Sequence, residues 1–87
     1  MAFYVYIIQS KKDKSFYKGY TENYEKRLDQ HNKGESSYTS KKIPWNLVYL
    51  EMHNSKKEAL IREKNLKKAA LERIIALIAS SKNLVRK

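Results

Sequence analysis

An 87-residue chain with 19 lysines and arginines against nine acids carries a formal charge of +10; its length leaves room for one domain with a modest core and sets a second domain aside. It has no cysteine, so neither a disulfide framework nor a Cys-based zinc site can hold it together and packing must do so. The positive excess favours a polyanionic partner, nucleic acid or an anionic membrane surface, without identifying any chemistry.

Phe3 to Gln9 is aromatic and β-branched and predicts a first strand. Polar Ser10-Lys11-Lys12-Asp13-Lys14 interrupts the pattern and Ser15 to Tyr20 restarts it, which reads as a hairpin. Asn23 is placed to cap a helix that starts at Tyr24, and Gly34 offers a left-handed stop after Lys33. On that helix Tyr24, Arg27, Leu28 and His31 share one stripe, while Glu25, Lys26, Asp29 and Gln30 fall outside it. Gly34 to Pro44, rich in Ser, Thr and Lys with a single Tyr38, reads as a loop.

Trp45 to Met52 alternates, with Val48, Leu50 and Met52 facing one way and Leu47, Tyr49 and Glu51 the other, and predicts a third strand. Asn54 or Ser55 can cap the next helix. From Lys56 to Ala79 helix formers dominate, but the apolar face changes direction near Lys67 to Ala70, so two helices are expected. The second is the clearer, because Leu71, Ile74, Ile75 and Ile78 recur at i, i+3, i+4 and i+7. The tail Ser80 to Lys87 is polar and basic and is expected to fray. The longest apolar run, Ile74 to Ala79, is too short to cross a bilayer, and Met1-Ala2-Phe3 supplies no basic region for a signal peptide, so the expected compartment is the cytoplasm. The predicted fold class is α+β: one domain over residues 1–87, a small three-stranded antiparallel sheet with helices packed on it, in the order β-β-α-β-α-α.

Among the charged residues Glu63 stands out, because Ala59, Leu66 and Ala70 flank it at helical spacing and form an apolar stripe. A carboxylate in such a stripe is costly unless paired or bound to metal. An exposed ion pair with Lys67, four residues on and worth roughly 0.2–0.5 kcal/mol, explains the same pattern equally well. No second Asp or Glu clusters with Glu63 as a two-metal site would require.

Two tyrosine-bearing segments, Tyr4-Val5-Tyr6 and Tyr17-Lys18-Gly19, flank a short turn and precede a helix with Arg27 and His31 one turn apart. The order Tyr6, Tyr17, Arg27, His31 and Glu63, with these spacings, resembles the GIY-YIG endonuclease domain, and in particular its small stand-alone bacterial members. The likeness runs from Phe3 to about Ile78. It departs from the family name at two positions, with Tyr4 in place of the first glycine and Lys18 in place of the second isoleucine.

The resemblance implies a metal-dependent endonuclease. Glu63 would hold one Mg²⁺ or Mn²⁺ ion, the remaining positions being filled by water and substrate oxygen. Tyr6 would activate water, needing nearby positive charge because a free phenol titrates near pH 10; the metal, or Arg27 and His31, would supply it. Tyr17 would hydrogen-bond the nucleophile or the scissile phosphate. Arg27 would clamp the phosphoryl oxygens with its planar fork, and His31 would contact the phosphate or relay a proton. Each of these has a plain structural alternative: a packed tyrosine, a surface arginine, a histidine at a helix C-terminus.

Lys18, Gly19 and Lys26 are expected to lie along the nucleic acid, with Gly19 allowing close backbone approach. In the loop Lys33 to Trp45, Tyr38, Thr39, Ser40, Lys41 and Lys42 are placed to meet phosphates. With no base-reading helix in sight, the expected partner is DNA ahead of RNA, cut by structure or without sequence preference, and there is room for a partner protein that supplies specificity. A non-catalytic nucleic-acid-binding module on the same fold is the competing reading. A membrane-surface protein would need a basic amphipathic helix that the chain lacks.

Overall fold

The computed structural model describes residues 2–86. Three strands, β1 (Phe3–Ser10), β2 (Phe16–Thr21) and β3 (Trp45–His53), form an antiparallel sheet in the order β2-β1-β3, with helices α1 (Tyr24–Asn32), α2 (Lys56–Lys67) and α3 (Leu71–Ala79) around it. The α+β class and the element order are those predicted. No helix among the described residues is long and apolar enough to cross a membrane.

Alternation along the strands gives the sheet two apolar faces. Val5, Ile7 and Tyr49 point to one face and pack with Ala59 and Leu66 of α2 and Ile74 of α3. Tyr6, Ile8, Trp45 and Leu50 point to the other, where Tyr24 and Leu28 of α1 and Ile43 cover them. Central β1 is therefore buried on both sides over Val5–Ile8, which is why Tyr4 to Ile8 reads as a continuous apolar run.

The helix caps formed as the sequence indicated. Asn23 Oδ1 accepts from Lys26 N at 3.2 Å, Ser55 Oγ accepts from Glu58 N at 3.1 Å, and Gly34 takes a positive φ of 80° after α1. Ala70 does not extend the stripe on α2; it is exposed and stands at the N-terminus of α3. The loop before β3 contains a 3-10 turn, Thr39–Lys42.

Strict alternation fails in β3. Ile7 pairs with Tyr49 and Ile8 with Leu47, so Val48 is an extra residue without a partner on β1. Val48 and Tyr49 consequently both pack on the α2/α3 side, and Leu47 joins the α1 side with Leu50. The tail differs too. Instead of fraying, it turns back along β3 as far as Arg86, and Lys87 lies outside the described residues. Buried Asn83 donates to the carbonyls of Val48 (2.8 Å) and Ile78 (2.9 Å) and accepts from Leu50 N (3.2 Å) and Val85 N (3.0 Å). A carboxamide thereby takes over edge-strand groups that the bulge and sheet boundary leave unpaired.

A polar cluster fixes α2 on the sheet. The Glu51 carboxylate receives Arg62 Nε at 3.2 and 3.0 Å, the Tyr49 hydroxyl at 2.5 Å and His53 Nε2 at 2.6 Å. Burial works against ionised Glu51, but these donors outweigh it and hold its carboxyl below the usual range. With Arg62 tied to β3, the next residue round the helix, Glu63, is aimed elsewhere.

Candidate active site

The site is built around Tyr6 at the centre of the sheet. Its cross-strand neighbour is Gly19, and the phenol lies over that residue: a Cβ on Gly19 would stand 2.4 Å from the Tyr6 oxygen. The openness expected of Gly19 is thus taken up by a side chain of the same protein. Because β2 is an edge strand, a ring laid across it carries its hydroxyl to the sheet margin.

There the hydroxyl meets His31 Nε2 at 2.9 Å. His31 is fully buried, and its other nitrogen, Nδ1, lies 2.7 Å from Thr39 Oγ1. Thr39 Oγ1 also lies 3.4 Å from the Ser36 carbonyl; with its proton turned there, its oxygen accepts from Nδ1–H. In that tautomer Nε2 is the acceptor and Tyr6 O–H the donor. Thr39 is itself fixed by Trp45, whose indole N–H donates to its carbonyl at 2.9 Å. Burial first, and the Arg27 charge second, push His31 down to about 4, so the ring is neutral near pH 7. Fully buried, His31 presents no surface to a phosphate; the other role expected of it was to relay a proton.

Burial raises Tyr6 to about 12; Arg27 beside it favours the ionised form, while Tyr17 and the negative charge of Glu63 disfavour it. All four other expected site residues thus act on Tyr6, His31 by a direct hydrogen bond and Arg27, Tyr17 and Glu63 through their electrostatic influence on its hydroxyl. Half-buried Arg27 is steadied by Gln30, which accepts from its Nη1 at 3.1 Å. Tyr17 packs edge-on to His31 with ring centroids 5.2 Å apart. Glu63 reaches the margin from α2, its side chain 19% exposed and its carboxylate 3.5 Å from Lys67 Nζ. The plain alternative to a metal ligand, an i,i+4 ion pair, is thus present. Since Lys67 is 54% exposed, such a pair is worth well under about 1 kcal/mol and yields readily to a stronger ligand.

The remaining residues scatter more widely. Lys18 joins Phe16, Tyr17, Tyr38 and Lys67 around an open cleft of about 230 Å³ at the β2 edge. Lys42 is tied back to Asp13 (3.2 Å) and Ser15 (3.3 Å) at the hairpin turn, and Lys41 and Lys26 are exposed without joining the cleft. The sequence hid the part of two residues. Thr39, expected to meet phosphate from a Ser/Thr-rich loop, is fully buried and bonded to His31 instead. Lys67 entered only as a pairing partner of Glu63, although its i,i+4 spacing already put it beside the candidate ligand.

The arrangement can hold a phenol in a defined hydrogen bond, offer a neutral base behind it, and present a guanidinium, an ammonium and a carboxylate to a phosphodiester. Comparison with known proteins bears on the family. The GIY-YIG catalytic domain profile matches residues 2–73. A UPF0213 protein of Staphylococcus saprophyticus is 42% identical over 77 residues, covering 87% of this chain and 93% of that protein; one of Clostridium perfringens is 44% identical over 78 residues, covering 88% and 83%. The solution NMR structure of a UPF0213 protein from Bacillus halodurans superposes with a TM-score of 0.61 at 31% identity, over 98% of this chain and 90% of that one. With its whole sheet, its tyrosine pair and the Arg27, His31 and Glu63 positions inside the matched span, the chain belongs to the GIY-YIG family.

Proposed function

We propose that this protein is a metal-dependent endonuclease that hydrolyses phosphodiester bonds in DNA, by structure or without sequence preference. The observation that carries the reading is the hydrogen bond from Tyr6 to a neutral, buried His31 whose tautomer Thr39 fixes. A buried phenol raised to about 12 cannot serve as a free phenolate at neutral pH. It can take a proton from water while passing its own to His31 Nε2, leaving an imidazolium that stays hydrogen-bonded to Thr39. No isolated phenolate forms, and the proton that leaves the water ends on the imidazole.

Arg27 would bind the phosphoryl oxygens as charge accumulates, and Lys18 and Lys67 would hold the flanking phosphates. Among the described residues no group of three or more His, Cys, Asp and Glu is arranged around a metal. A lone carboxylate with one weak partner fits a hydrated hard cation, one Mg²⁺ or Mn²⁺ ion, and does not fit zinc. Held by Glu63, such an ion would polarise the phosphoryl group and the leaving oxygen. The cysteine-free, basic composition suits work on nucleic acid in the cytoplasm.

The test is nicking of supercoiled plasmid. The purified protein is expected to nick in Mg²⁺ or Mn²⁺ and not in EDTA, and Glu63→Ala to abolish cutting while DNA binding persists. Equal cutting by Glu63→Ala would sink the assignment and leave a binding module as the better reading.

A further inference from the structure

Of the aromatic residues among those described, Tyr38 alone is exposed, with 60% of its surface open to solvent. A bare tyrosine on a basic domain needs no explanation by itself. This one, however, is held in place. Its ring lies 5.9 Å from that of Tyr17 at a tilt of 33°, and Lys42 Nζ sits 5.5 Å from its centroid. Lys42 is in turn anchored to Asp13 and Ser15. A flat, amphipathic surface is thus presented with its orientation already fixed, so little conformational entropy remains to be lost when something stacks on it.

The surroundings of the ring indicate its occupant. Tyr38 shares the open cleft with Tyr17, Lys18 and Lys67, two ammonium groups beside an aromatic wall. Cations for the backbone with a ring for the base is the combination by which proteins hold single-stranded nucleic acid. Only Tyr17 separates Tyr38 from His31, so the stacked base would lie next to the reacting phosphate. In continuous duplex every base face is covered by its neighbour, and no π-face is available to Tyr38.

We propose that Tyr38 is a stacking platform for one unpaired base, and that the substrate class is therefore DNA with a single-stranded or splayed nucleotide at the cut, such as a flap or frayed end. This rests on the nuclease reading of the same cleft and assigns Tyr38 a base where the sequence suggested a phosphate.

The test uses the full chain carrying Glu63→Ala, so that bound DNA is not cut, and two probes of one sequence: a 2-aminopurine single strand and its blunt hairpin duplex. Adding Tyr38→Ala is expected to weaken single-strand binding roughly tenfold, the range of one base–aromatic stack, and duplex binding by less than about twofold. Tyr38→Phe is expected to retain single-strand affinity and the 2-aminopurine quench, because the ring is kept. Equal loss on both probes, no loss on either, or loss with Tyr38→Phe as large as with Tyr38→Ala would overturn the proposal. With Glu63 intact, the protein should cut a flap faster than blunt duplex, and Tyr38→Ala should erase that preference. If Glu63-intact protein cuts nothing, the nuclease reading fails, while the binding comparison still decides the stacking.

Discussion

At the scale of single residues, the proposed chemistry turns on three atoms joined by two hydrogen bonds: the Tyr6 oxygen, His31 Nε2 and, across the ring, Thr39 Oγ1. The neutral state of His31 is also a statement about stability. An imidazole lowered to about 4 in the folded protein, against about 6.5 unfolded, lets the unfolded chain bind the extra proton first as pH falls. Its contribution is full above about pH 6.5 and is lost between about 6.5 and 4. Guanidinium unfolding should therefore find the protein about 2 kcal/mol less stable near pH 5 than at about pH 7.5, with His31→Gln removing most of that slope. An equal slope in the variant would show that His31 is not the group responsible. Gly19 is the second lever. Because a Cβ there would collide with the Tyr6 hydroxyl, Gly19→Ala should displace the phenol and cut kcat/KM on plasmid about 10²-fold or more, while far-UV CD stays native.

At the scale of elements, the tail and the bulge in β3 belong together. Asn83 bonds the Val48 carbonyl and the Leu50 amide, one in the bulge and one just past it. Asn83→Ala should cost about 2–3 kcal/mol, seen as a lower Tm, without changing kcat of the folded fraction. Neither feature was legible in the sequence. Trp45 to Met52 alternates well enough to predict a strand, and a bulge is a one-residue slip that periodicity absorbs. Asn83 sits in a polar basic stretch, and its value depends wholly on a distant strand edge. The caps at Asn23 and Ser55 and the stop at Gly34 were legible because each is set by local backbone chemistry, and the break between α2 and α3 because the apolar face turns there. The site was legible in part. Family spacing pointed to Tyr6, Tyr17, Arg27, His31 and Glu63, but the burial of His31, the filling of Gly19's space by Tyr6 and the part of Thr39 depend on the sheet bringing distant segments together.

At the scale of the whole molecule, the charge of +10 includes Lys18 and Lys67 at the cleft on the β2 edge, and the rest is spread over other elements. If Lys18 and Lys67 meet phosphates, replacing either by Ala should reduce the slope of log K against log salt by about 0.9, with unchanged Tm; an unaltered slope would move the DNA elsewhere on the surface. The Tyr6 hydroxyl, backed by His31, is the group proposed to take the proton from water. Tyr6→Phe tests it most directly, since the ring still packs over Gly19 and only the oxygen is lost. The expected result is cleavage reduced about 10²-fold or more, with DNA binding within about twofold and the fold retained. Cleavage by Tyr6→Phe at close to the original rate would contradict it.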